Sequence, residues 1–147
     1  MTNFNFDQQN IIWNTLGDFE NFLYSVLHVD DENKIIDVLF KLSAHKPIFL
    51  HRHMAPNMCF VVQGEHRLYE ANGDLKEVRP VGSYTYSPAS NDPHRECGGD
   101  DGLIVLFSIR GGDGLLYEVL DEVTHDVIAT LSYQDIVGLY EAQSTVG

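Results

Sequence analysis

Apolar residues along this chain recur in short runs bounded by Gly, Pro, Asn and Asp, the pattern of strands more than of helices. Lys46-Pro47-Ile48-Phe49-Leu50 leads into His51-Arg52-His53 with β-forming residues, Ala55-Pro56-Asn57 reads as a turn, and Met58-Cys59-Phe60-Val61-Val62 follows, ending at Gly64. Arg67 to Glu70 and Leu75 to Val78 flank Asn72-Gly73, and Asn-Gly between strand-like runs predicts a hairpin. Gly82 opens Ser83-Tyr84-Thr85-Tyr86-Ser87, which ends at Pro88. Leu103 to Ile109 is almost continuously apolar, as for a strand covered on both faces. Upstream, Asp18 to Val26 reads as a short helix or an edge strand, with strand favoured after Phe22 and leading into Ile35 to Phe40. Near the end, Ile136, Leu139 and Tyr140 fall at helical spacing, with Ser132 as an N-cap. The pattern predicts an all-β antiparallel barrel or sandwich with a short C-terminal helix.

Length and composition fit one domain over residues 1–147: 44% hydrophobic residues exclude a disordered chain. The barrel core is expected over about residues 22–110, with terminal extensions packing on it. The net charge of -13 is uneven, since all nine Lys and Arg lie between Lys34 and Arg110. That argues against a nucleic-acid partner, and the acidic ends read as solubilising. No apolar run reaches the length of a membrane-spanning helix. Cys59 and Cys97 lie far apart in sequence and no charged-then-apolar leader precedes the domain, so the expected compartment is a reducing cytoplasm.

The candidate chemistry lies in the histidines. Residues two apart in a strand share a face, so His51 and His53 would aim both rings at one point, which a helix would not allow. With His94, in Pro88-Ala89-Ser90-Asn91-Asp92-Pro93-His94, they provide three imidazoles for one divalent metal. Glu96, two residues on, either shares the inward face and orients a ligand histidine or is a surface glutamate. Asn57 is either a turn former or a holder of metal-bound water. Phe60, Tyr69, Tyr84 and Tyr86 are either walls of a pocket for an aromatic or diketone substrate or ordinary core. Arg110 binds a carboxylate or enolate oxygen, or closes a rim salt bridge. His28, His66 and His125 read as surface or packing residues, and His45 stays open.

These motifs resemble those of the cupin superfamily. Its first motif, Gly, five residues, His-x-His, three or four residues, Glu, six residues, Gly, is matched by His51, His53 and Gly64. Gly82, Pro88 and His94 fill its second motif with one extra residue before the histidine. The departures are His45 and Ser90 at glycine positions and Asn57 at the glutamate position, which leaves the first shell closer to three neutral histidines. Phe22 to Arg110 most resembles the small cupins related to acetylacetone-cleaving and 2,4'-dihydroxyacetophenone dioxygenases. Resemblance to the cupin domains of ChrR-type anti-sigma factors is comparable in kind.

The resemblance implies a cupin-type double-stranded β-helix, or jelly-roll barrel, holding a divalent metal. Fe(II) is favoured, with Zn, Ni and Mn as alternatives. It further implies a non-haem dioxygenase that cleaves a carbon–carbon bond in a small chelated diketone or hydroxyketone. The alternative is a non-catalytic cupin that binds a metal or small molecule as a sensor or regulatory module. Met58, Phe60 and Val62 alternate with Cys59 and Val61, so one apolar face is left for a second sheet or a partner, and a homodimer is expected.

Overall fold

The computed structural model describes residues 5–144 and is all-β, as the residue pattern predicts. In chain order the strands are β1 (Phe22–Asp30), β2 (Ile35–Leu42), β3 (His51–His53), β4 (Asn57–Glu70), β5 (Leu75–Arg79), β6 (Tyr84–Ser87), β7 (His94–Ile109), β8 (Leu115–Leu120) and β9 (Val127–Ser132). One helix, α1 (Tyr133–Ser144), follows them. The strand expected after Phe22 is β1, and the Asn72-Gly73 turn joins β4 to β5 with Gly73 at φ 95°.

Two long strands organise the barrel. β4 and β7 pair antiparallel along nearly their whole length, from Asn57 opposite Ile109 to Glu70 opposite His94. The C-terminal half of β7 continues into β2 and β1, and the N-terminal half of β4 into β6. The other halves continue through β3, β8 and β9 on one side and β5 on the other. Each long strand therefore serves two differently directed sheet portions, which requires a bend. It occurs at bulges between Val61 and Gln63 and between Gly64 and His66, opposite the Gly99 to Gly102 excursion of β7. Gly64 takes φ 78°, and a Cβ there would collide with the Gly102 carbonyl. Only glycine meets both conditions without strain.

The bend changes which residues point inward. Before it, Asn57, Cys59 and Val61 are buried; after it, His66 and Leu68 are. The inward set thus shifts from odd to even numbers, and a sequence read at unbroken period two puts His66 on the wrong face. Leu103, Ile104 and Val105 are all buried, but the end of β7 alternates, with Phe107 and Ile109 inside and Leu106 and Ser108 half-buried.

The sheet does not end near residue 110. β8 pairs directly with β3, setting Val119 opposite His51 and Tyr117 opposite His53, and β9 pairs with β8. α1 then packs Tyr133 and Ile136 into the core, with Leu139 and Tyr140 against its edge. Its start is a reciprocal cap: the Asp135 amide donates to Ser132 Oγ at 3.1 Å, and the Ser132 amide to Asp135 Oδ2 at 2.8 Å. Near its end, Gln143 Oε1 accepts from the Val26 amide at 3.0 Å and Nε2 donates to the Val26 carbonyl, so one side chain ties the helix to β1 as a strand would.

Two glycines test this account in opposite directions. Gly64→Ala should lower stability by roughly 2 kcal/mol or more, through a strained φ and a backbone clash. Exposed Gly138, inside α1 with open space around it, should gain roughly 0.5–1 kcal/mol as alanine. Urea unfolding of both variants reads the two signs directly.

Candidate metal centre

Pairing of β3 with the start of β7 places His51 opposite His94, and strand alternation puts His53 and Glu96 on the same inner face. The result is one cluster, His51, His53, His94 and Glu96, whose candidate ligand atoms all lie within 4.8 Å of one another. His51 Nε2 is 2.7 Å from Glu96 Oε2, His94 Nε2 is 3.4 Å from it and His53 Nε2 is 3.7 Å from it. His53 Nε2 and His94 Nε2 are 3.0 Å apart.

Two of the three rings are held from behind. His51 Nδ1 lies 2.9 Å from the Phe49 carbonyl, which can only accept, so Nδ1 carries a proton and Nε2 is turned toward Glu96. His53 Nδ1 is 3.1 Å from the Asn57 side-chain nitrogen, and Asn57 Oδ1 accepts from the Cys59 thiol at 3.1 Å. Asn57 therefore stands at the back of a cluster ring, wholly buried, and does more than form a turn. The backbone carbonyl of His53 accepts from the Ser90 amide at 2.9 Å, which fastens the loop carrying the extra residue before His94.

Glu96 departs furthest from expectation. It is no surface glutamate: it is 5% exposed, between His51 on Oε2 and His66 on Oε1, the latter at 2.6 Å. A fourth, anionic donor is thus present, and the expectation of three neutral histidines is corrected. Burial opposes its charge, but hydrogen bonds from His51, His53, His66 and His94 outweigh that and hold its carboxyl well below the usual range. Burial also pushes His53 down to about 4 against the pull of Glu96, and lowers His94 for the same reason. Neutral His53 and His94 beside an ionised Glu96 are the protonation states that metal ligands adopt. With Nδ1 facing the Phe49 carbonyl, the 2.7 Å contact between His51 Nε2 and Glu96 Oε2 is satisfied either by a second ring proton or by a cation bound to both atoms. The donor set fits a divalent metal.

His66, expected on the surface or in packing, is wholly buried and holds Glu96 in place, while its Nδ1 has no partner. The signal that would have found it is Gly64, a bulge-prone glycine inside a strand. His28 and His125 are exposed. His45, also exposed, contacts Asp100 at 2.6 Å and takes φ 54°, the left-handed conformation for which glycine is the usual residue at that motif position.

The expected aromatic pocket is not the one that forms. Phe60, Tyr84 and Tyr86 are 40%, 64% and 59% exposed, because Cys59 and Thr85 take the inward positions of paired β4 and β6. Tyr69 lies beside Cys97, and Arg110 is exposed beyond the end of β7; neither lines a cavity. Instead, the cluster stands between two cavities. One, of about 270 Å³, lies inside the barrel and includes Phe22, Phe40, Phe49, Phe107 and Tyr117 in its wall. The other, of about 240 Å³, is more polar and includes Asn57, Arg79, Ser87 and His94. His53, Glu96 and Phe107 border both.

No protein-family model and no curated protein sequence matches the chain. Solved structures do. An RmlC-like cupin protein from Ralstonia eutropha JMP134 superimposes with TM-score 0.72 at 19% identity, covering 100% of this chain and 90% of that one. This chain folds as a cupin. An acetylacetone dioxygenase from Acinetobacter johnsonii is similar at TM-score 0.68 and 15% identity, over 97% of this chain and 93% of that one. A putative acetylacetone dioxygenase from Methylibium petroleiphilum PM1 gives 0.66 and 18%, over 95% of each chain. At such identities the likeness concerns the cupin fold.

The buried charges give the metal-free protein an acid-sensitive stability. Burial holds folded His53 at about 4, below the ordinary histidine value of 6.5, so the unfolded chain binds the extra proton between those values and stability falls as pH drops through that window. Glu96, held below 4.5, adds a loss in the same direction as pH falls below 4.5. Thermal melts of chelator-treated protein should show Tm lower at pH 5 than at pH 7.5, and a Tm that is level or higher at pH 5 would contradict the neutral, buried His53.

Proposed function

We propose that this cupin is a metal-dependent dioxygenase acting on a small oxygen-chelating ketone, with Fe(II) held by His51, His53, His94 and Glu96. The observation that carries the reading is the convergence of three imidazole nitrogens and one carboxylate on a single buried point beside a cavity. The fold shared with acetylacetone dioxygenases supports it. Bound there, Fe(II) would act as a Lewis acid toward a chelated diketone or hydroxyketone and provide the redox partner for dioxygen.

The chain's own residues supply orientation, charge and dryness. The Phe49 carbonyl accepts from His51 Nδ1 and keeps Nε2 facing the site, while the Asn57 side-chain NH2 donates to His53 Nδ1 and fixes the orientation of that ring. His66 fixes Glu96 from the side away from the other histidines. For a 1,3-diketone the overall change balances without an external reductant: one carbon–carbon bond breaks, both oxygen atoms of dioxygen enter the products, and a carboxylic acid and an α-dicarbonyl compound leave. The substrate carbons are oxidised and dioxygen is reduced. The sensor alternative comes from the resemblance to ChrR-type cupin domains; a missing acidic ligand would favour it, and Glu96 supplies a carboxylate at the cluster.

Two expectations about the protein's surroundings accompany this reading. Cys59 and Cys97 are buried free thiols, which supports a reducing cytoplasm, and no helix among the described residues is long and apolar enough to cross a membrane. Phe60, Tyr84 and Tyr86, exposed beside half-buried Met58 on the outer face of β4 and β6, form the patch through which we propose a homodimer. Light scattering at micromolar concentration should give twice the chain mass, and Tyr84→Lys combined with Tyr86→Lys should return the monomer.

Protein purified without chelator or immobilised nickel should carry near-stoichiometric iron by elemental mass spectrometry. His51→Ala with His94→Ala should lose it, and Glu96→Gln should weaken retention by roughly tenfold or more. Iron-loaded wild type should consume oxygen when a 1,3-diketone is added. Stoichiometric metal without substrate-dependent oxygen uptake would move the assignment to the non-catalytic class.

A further inference from the structure

The cavity inside the barrel is larger than a minimal diketone needs. An apolar cavity of about 150 Å³ holds a benzene molecule, and this one measures about 270 Å³. Its wall away from the cluster is built mainly of hydrocarbon: Phe22, Val38, Phe40, Leu42, Val105 and Leu131. Protein cores are close-packed, and a void of this size costs stability unless something fills it.

At one end the cavity is bordered by His51, His53 and Glu96 of the cluster, and Tyr117, whose ring stands 5.0 Å from the His53 ring, centroid to centroid, belongs to the same wall. A hydrocarbon chamber that ends on the candidate metal-binding residues is complementary to a molecule with an oxygen-bearing head and an apolar tail.

Resting on the metal centre proposed above, we infer that the barrel cavity is the subsite for an apolar tail of roughly six carbons on the chelating ketone. The preferred substrate class is then medium-chain alkyl 1,3-diketones, with acetylacetone a poor fit that leaves most of the chamber empty. The more polar cavity on the other side of His53 and Glu96 leaves a separate side of the cluster for water and dioxygen.

The test uses the full chain loaded with Zn(II), which binds the ketone without turning it over, with metal content measured on the same samples. Calorimetric titration compares pentane-2,4-dione with octane-2,4-dione, whose tail is three methylenes longer. Octane-2,4-dione should bind at least about tenfold more tightly, as each buried methylene adds roughly fourfold. Val38→Phe, which fills the chamber, should bring the two affinities within about twofold, and the milder Val38→Leu should reduce the gap if the larger residue prevents folding. Equal affinities for the two ketones on metal-loaded wild type would overturn the subsite while leaving the metal centre standing. Failure to retain metal would overturn the metal centre and this inference with it.

Discussion

A carboxylate buried in a protein interior must be compensated locally, because the effective cost of removing its charge from water is several kcal/mol. Glu96 meets that demand through His51 on one oxygen and His66 on the other, with His53 and His94 close by. The surrounding architecture follows from this requirement. His51 and His53 come from β3, a strand of three residues that holds its place because β8 and β7 pair with it on either side. His66 comes from β4 beyond a bulge, and the bulge exists because Gly64 and the Gly99 to Gly102 excursion let two long strands bend together. Without that bend His66 would face outward and Glu96 would lose the partner on Oε1.

What the sequence made legible was local and periodic. Runs of β-forming residues between turn formers located most of β1 to β7, Asn72-Gly73 located a hairpin, and Ser132 with the spacing of Ile136, Leu139 and Tyr140 located the helix. His51, His53 and His94 converge because their grouping needs only period-two strands and one antiparallel pairing, and both motifs announce those. β8 and β9 were missed because their burial depends on β3 lying beside them, a contact between residues far apart in sequence that no local run encodes.

The misplaced aromatics have a different cause. Tyr84 and Tyr86 sit in a strand rich in strand-forming residues, and composition finds such a strand without saying which face is inward. The inward residue is Thr85, fixed by pairing opposite buried Cys59. The aromatic residues that do wall the cavity, Phe22, Phe40, Phe49, Phe107 and Tyr117, are drawn from five strands or their flanks. No window of sequence brings them together, so a pocket of this kind becomes visible only once the barrel is closed.

The exchange at Asn57 shows why a motif undercounts chemistry. Read by letters, the chain lacks the acidic ligand and therefore the charge of the usual shell. In space the carboxylate has been relocated: Glu96 reaches the same cluster from β7, two residues beyond His94, while Asn57 remains behind His53. Charge and donor count depend on which side chains reach a point, and strand pairing lets several sequence positions reach the same one. The relocation also has a consequence that a carboxylate at position 57 would not bring. Glu96 borders both cavities, so the one buried negative charge of the cluster stands in the partition between the apolar chamber and the polar one. An apolar group on one side and polar species on the other can then be kept apart by the cluster residues themselves.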